Sequence, residues 1–131
     1  MITKIRQEFS AHEMAPDLKT ILAETNVLDI LSQILGLDDA QSELVRFLKL
    51  EATWVLTNIG YGDEEDILQI FKEEHRFVNH INRILQGNDL QMIDQVIWLV
   101  SNCCGESQAI HSIVIRKIFI IDALARIIFE A

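Results

Sequence analysis

Slid along itself by 44 positions, the chain matches itself. Trp54 falls on Trp98 and Asn58 on Asn102. Val55 and Leu56 fall on Leu99 and Val100, Thr57 on Ser101, and Glu51 on Gln95. Around each match the plan is the same: a short helix, a medium helix, a turn and a long helix. One such unit cannot bury its own apolar face, so stacked neighbours must supply the core. The 131 residues hold roughly three units, the first and last incomplete.

The pattern between the turns has helical period, with no strand alternation bounded by hairpin turns. Ile2 to Phe9 reads as a weak amphipathic helix. Pro16 sits where a first helical turn tolerates proline, with Leu18, Ile21 and Leu22 following. Asn26 is placed to cap a helix closed by Gly36. Asp38 or Asp39 is placed to cap a longer helix that runs to about Ile59. Its apolar positions are Leu44, Phe47, Leu48, Ala52, Val55, Leu56 and Ile59. Gly60 and Gly62 end it, and a short acidic helix runs from about Asp63 to Phe71. A helix around Phe77, Ile81 and Leu85 closes at Gly87. Asp89 caps the next, which closes at Gly105. Ser107 opens a short helix, and the last lies near Ile118 to Phe129.

The expected fold is therefore all-α: a right-handed superhelical solenoid of the armadillo type, since three helices in a period in the low forties is that pattern. It forms a single domain over residues 1–131, with approximate units 1–62, 63–106 and 107–131.

Composition narrows the function. Half the chain is apolar and it holds one proline, which excludes disorder. There are 20 acidic and 11 basic residues, a net charge of −9. Nucleic acid and anionic membranes need basic surface, so neither is an expected partner. The apolar stretch from Ile113 to Phe129 carries Arg116, Lys117, Asp122 and Arg126, too many charges for a membrane span. Cys103 and Cys104 are adjacent and without other cysteines, so reduced thiols in the cytoplasm or nucleus are expected. No phosphate loop, nucleophile elbow or metalloprotease motif is present. His75 and His80 lack a third ligand at metal spacing. The chain reads as no enzyme, with no metal and no cofactor.

Chemistry concentrates in the repeated pair. Trp54 and Asn58 are four apart and share a helix face, offset from the apolar stripe. Trp98 and Asn102 repeat that face one unit later. Stacked helices lie about 8–10 Å apart, close to three residues of extended peptide at ~3.3 Å each. An Asn amide both donates and accepts, so an Asn ladder pairs with a peptide backbone whatever its sequence. Trp walls hold the stem of Lys or Arg, with a cation–π contribution of ~0.5–2 kcal/mol. Read structurally instead, each Trp packs in the core and each Asn bonds a nearby carbonyl. Likewise the run Asp63 to Asp66 first of all supplies favourable charge at a helix N-terminus.

The segments Glu51-Ala52-Thr53-Trp54-Val55-Leu56-Thr57-Asn58-Ile59 and Gln95-Val96-Ile97-Trp98-Leu99-Val100-Ser101-Asn102-Cys103-Cys104-Gly105-Glu106-Ser107 resemble armadillo repeats of importin alpha, the receptor for nuclear localisation signals. The resemblance covers about residues 26–131. It implies a groove for an extended basic peptide, lined by Trp54, Asn58, Gln95, Trp98 and Asn102. It further implies a lysine pocket in which Glu106 stands at a family aspartate and Gly62 at a glycine whose carbonyl lines the pocket. Ile67 falls where the family offers a threonine hydroxyl. No basic N-terminal segment of the kind that recruits importin beta is recognisable. The alternative is an armadillo scaffold that joins proteins without preferring basic sequence.

The last helix is crowded with Ile120, Ile121, Leu124, Ile127, Ile128 and Phe129. One face packs on the preceding unit; the other has no third helix to cover it. A two-fold homodimer through this helix is the expected outcome.

Overall fold

A computed structural model describes residues 15–38, 42–105 and 107–130. Every regular element among them is helical. The helices are α1 (Ala15–Glu24), α2 (Val27–Leu35), α3 (Glu43–Ile59), α4 (Glu64–Ile70), α5 (Phe77–Leu85), α6 (Leu90–Cys104), α7 (Gln108–Lys117) and α8 (Ile120–Glu130), with a 3₁₀ turn at Glu73–His75. The expected helix at residues 2–9 lies outside the described residues. No helix among the described residues is long and apolar enough to cross a membrane.

Most starts follow from capping chemistry. Asp63 accepts from the Asp66 N–H at 3.0 Å, Asp89 from Met92 at 3.2 Å and Ser107 from Ile110 at 3.3 Å. Each satisfies an N–H that the helix itself cannot pair. Two caps differ from the sequence reading. Helix α3 starts at Ser42, whose hydroxyl accepts from Val45 at 3.2 Å, not at Asp38; Asp39 lies outside the described residues. Asn26 stands before α2 but makes no side-chain cap, because its ψ of 32° is not the extended conformation a cap uses. The Val27 N–H lies 3.4 Å from the Thr25 hydroxyl instead.

The packing follows a rule of three. Helix α1 packs on α4, α2 on α5, α3 on α6, α4 on α7 and α5 on α8. The most extensive of these contacts joins the two long helices, α3 and α6. Between them and their neighbours lies a core in which Leu31, Leu56, Ile59, Phe77, Leu99 and Ile110 are almost wholly enclosed. Burying each such side chain contributes ~1.5–3 kcal/mol. Polar bridges follow the same offset. Arg46 of α3 grips Asp89 at the start of α6 with two bonds of 2.7 and 3.1 Å, and Ser107 donates to Glu64 at 2.6 Å.

The first turn of α3 departs from the expected core. Leu44 and Phe47 are 68% and 48% exposed. The Arg46–Asp89 bridge accounts for Leu44: α6 begins level with Arg46, so the turn before it projects past its partner.

Candidate peptide-binding site

Helices α3 and α6 run side by side, so residues in the 44-position register meet across their interface. Trp54 is half-buried and Trp98 is 43% exposed. Their ring centroids lie 5.4 Å apart with planes at 82°, an edge-to-face contact. Such a pair is worth ~0.5–1.5 kcal/mol beyond the area it buries. An alkyl stem held between two rings needs ~3.5–4.0 Å of clearance on each side. The indoles therefore leave no slot between them, and Trp98 is the more exposed of the two.

The two asparagines, equivalent in sequence, are spent differently. Asn58 donates from Nδ2 to the Trp54 carbonyl at 3.1 Å, one turn back on its own helix. Asn102 makes no such bond: its Nδ2 is buried without a partner. One turn before Trp98, the Gln95 Oε1 is likewise buried and unpartnered. An unpaired buried donor or acceptor costs ~1–3 kcal/mol. Helix α6 thus carries one unspent donor and one unspent acceptor on either side of Trp98.

At the C-terminal ends of α3 and α6 the chain encloses an open cavity of about 410 Å³. Gly62, Asp63, Glu64, Ile67, Asn102 and Ser107 line it. The fold brings this cavity together because Gly60 lets the helix ends close up. A Cβ there would lie 3.3 Å from Cys103 Sγ and 3.4 Å from Asn102 Cβ. Gly62 is tighter still, since a Cβ would meet Asp66 Oδ2 at 2.9 Å and Leu18 Cδ2 at 3.0 Å. No cation lines the cavity among the described residues, and two carboxylates do. Glu106 lies outside the described residues. Tyr61, also on the wall and 56% exposed, is no candidate from sequence for the groove itself; its place between Gly60 and Gly62 is the signal that puts it there.

Burial raises both cysteine thiols. Cys103 is buried at the cavity floor, and burial pushes its thiol up to about 12. A thiol so raised holds almost no thiolate at neutral pH. His75 faces Asp29 at 3.1 Å, and no group of three or more His, Cys, Asp or Glu is placed to hold a metal among the described residues. Set against known proteins, the chain matches no family model, no curated protein and no solved structure.

Proposed function

We propose that this chain is an armadillo-type helical-repeat module that holds an extended, basic peptide across α3 and α6. The observation that carries the reading is the cation-free cavity in which Asn102 and Gly62 meet the carboxylates of Asp63 and Glu64, one helical turn from Trp98. The stacking of each helix on the third one after it supports the armadillo part, as does the resemblance of the Trp-and-Asn segments to importin alpha.

In this reading a Lys or Arg stem lies along the exposed part of Trp98. One turn of helix rises about 5.4 Å, about the length of a lysine stem, so the charged head arrives at the carboxylates. The Gln95 oxygen and the Asn102 amide are the groups offered to the peptide backbone, by turning out of their buried positions. Asn58 must first release the Trp54 carbonyl and so contributes less. The net charge of −9 favours approach of a basic ligand, and salt screens that attraction.

Titration of a labelled Lys-rich peptide across a salt series tests this. Asn102→Ala is expected to cost ~0.5–1.5 kcal/mol of binding, a few-fold to about tenfold in Kd. Asn58→Ala is expected to cost less. The edge-to-face closure of the indoles, together with apolar Ile67 on the cavity wall, favours a second reading, a scaffold without basic preference. That reading requires a neutral peptide of equal length to bind as well as the Lys-rich one. Unaltered binding by a folded Asn102→Ala, Trp98→Ala variant overturns the peptide site itself.

A further inference from the structure

A second open cavity, about 400 Å³, lies among the turn after α4, the start of α5 and the end of α7. It shares no lining residue with the acidic one. Lys72, Arg76 and Lys117 stand on its wall, with Phe71 and Val78 as an apolar side. In a chain with 11 basic against 20 acidic residues, three cations on one wall run against composition. Lys72 and Arg76 make no ion pair among the described residues. Lys117 has a 3.9 Å contact with Glu73, whose side chain is 94% exposed at the rim. A pair so open to water neutralises little.

Two features fix the backbone from which Arg76 and Lys117 extend. Arg76 has φ 61° and is the only non-glycine with positive φ among the described residues. A residue with a Cβ enters that left-handed region at a cost, and such cost concentrates at functional sites. The 3₁₀ turn Glu73–His75 delivers Arg76 there, with the Arg76 N–H bonded to the Glu73 carbonyl at 3.1 Å. Glycine would relieve the backbone but would lack the guanidinium. The Lys117 backbone is fixed from the other side by Asn82, which spends its amide on the turn between α7 and α8. It donates to the Lys117 carbonyl at 2.8 Å and accepts from the Phe119 N–H at 3.0 Å.

We infer that this cavity is a site for a compact phosphate dianion: a phosphate monoester whose organic part lies along Phe71 and Val78. With Glu73 on the same lining the three cations leave a net charge of two, which a dianion balances, whereas a single carboxylate leaves the wall under-neutralised. The guanidinium fork grips two phosphoryl oxygens, with the lysines as flanking point charges. The start of α5 lies on the same wall without a side-chain cap, which adds N–H donors to the same end. A polyanion such as nucleic acid is disfavoured, because the net −9 of the chain repels charge that extends beyond the cavity. A small dianion loses least.

Nuclear magnetic resonance titration of the whole chain, at constant ionic strength, tests the site. The probes are phenyl phosphate, inorganic phosphate and a phosphoserine peptide. Saturable shifts centred on residues 71–79 and 117 are expected, with phenyl phosphate binding more tightly than inorganic phosphate. Arg76→Gly is expected to weaken binding about tenfold or more while leaving the thermal midpoint unchanged or higher. The double variant Lys72→Gln, Lys117→Gln supplies the same loss without touching the backbone. Tightest binding by the phosphopeptide assigns the monoester to a protein partner; tightest binding by phenyl phosphate assigns it to a free ester. Shifts that do not saturate, that centre elsewhere, or that persist at equal affinity in both variants overturn the inference.

Discussion

At the scale of single residues, His80 shows how neighbours fix a proton. Arg83 places Nη2 3.0 Å from His80 Nδ1. Arginine only donates, so Nδ1 accepts and the ring proton sits on Nε2. That proton goes to Ser32 Oγ at 3.1 Å, and Ser32 donates to the His75 carbonyl at 2.5 Å. The chain of bonds joins α2 to α5 and needs a neutral ring. Burial, then the charges of Arg83, Lys49 and Arg76, hold the His80 imidazole below its ordinary range. A base whose folded pKa is lowered takes up more protons unfolded than folded. Its contribution is therefore complete above about pH 6.5 and is lost as pH falls below that. The thermal midpoint is expected to drop between about pH 7.5 and 5.5, and His80→Gln, which keeps one donor and one acceptor, should flatten that drop. A midpoint equally pH-dependent in His80→Gln would place the effect elsewhere. Asp89 belongs to a lower window. The Arg46 hydrogen bond, ahead of every other influence, holds its carboxyl below the usual range, so its contribution is lost only below about pH 4. None of the Ser32–His80 link is legible in sequence, because the partners stand 48 positions apart and neither carries a pattern. The Asn58–Asn102 pair marks a similar boundary. Register shows that the two are equivalent, but only packing decides which amide is spent on its own helix.

At the scale of elements, helix order was readable and helix starts were readable in part. Asp63, Asp89 and Ser107 each follow a glycine-containing turn, which narrows the start; at α6 both Asn88 and Asp89 are able to cap, and the one adjoining the helix does. Before α3 the segment offers Asp38, Asp39 and Ser42, all able to cap; the hydroxyl nearest the first buried turn is the one used. Arg76 was not readable at all, since neither glycine nor asparagine marks its left-handed backbone. Capping energies follow from these assignments. Ser42→Ala is expected to cost ~1 kcal/mol, and Asn26→Ala close to nothing. Asp89→Ala removes both the α6 cap and the Arg46 bridge, and is expected to cost ~1–3 kcal/mol. Arg46→Met leaves the cap but removes the partly exposed bridge together with the 2.6 Å bond to Gln91, for ~0–1 kcal/mol. Urea unfolding of the four variants measures all of these. An Arg46→Met loss equal to that of Asp89→Ala would mean that the bridge, not the cap, joins α3 to α6.

At the scale of the molecule, α8 packs on α5, the third helix before it, and presents another face to solvent. Helix α5 covers the inner side: Ala123 is buried, and Arg126 ties α8 down by donating to the Leu85 and Gly87 carbonyls at 2.6 and 2.8 Å. The outer side carries Ile121, Leu124 and Ile128 in one stripe, 74%, 41% and 71% exposed, with Phe129 beside them at 87%. Ile115 of α7 and Phe119 of the turn extend the patch. Together these side chains expose on the order of 700 Å², near the ~800 Å² per partner of a standard interface. Patches of this size mark contact surfaces. A helix stripe meeting its own copy about a two-fold axis is self-complementary, so one surface serves both sides. The expected species is a homodimer through α8, and sedimentation over a concentration series detects it. Ile121→Asp or Leu124→Asp, which set a charge in the centre of the stripe, should return the chain to monomer without loss of helicity. The Trp54–Trp98 contact lies on α3 and α6, which do not form the patch, so peptide binding should survive the same substitutions. A chain that stays monomeric at high micromolar concentration with α8 folded would show that four exposed side chains on a short helix do not outweigh the entropy of association, estimated at ~4–15 kcal/mol.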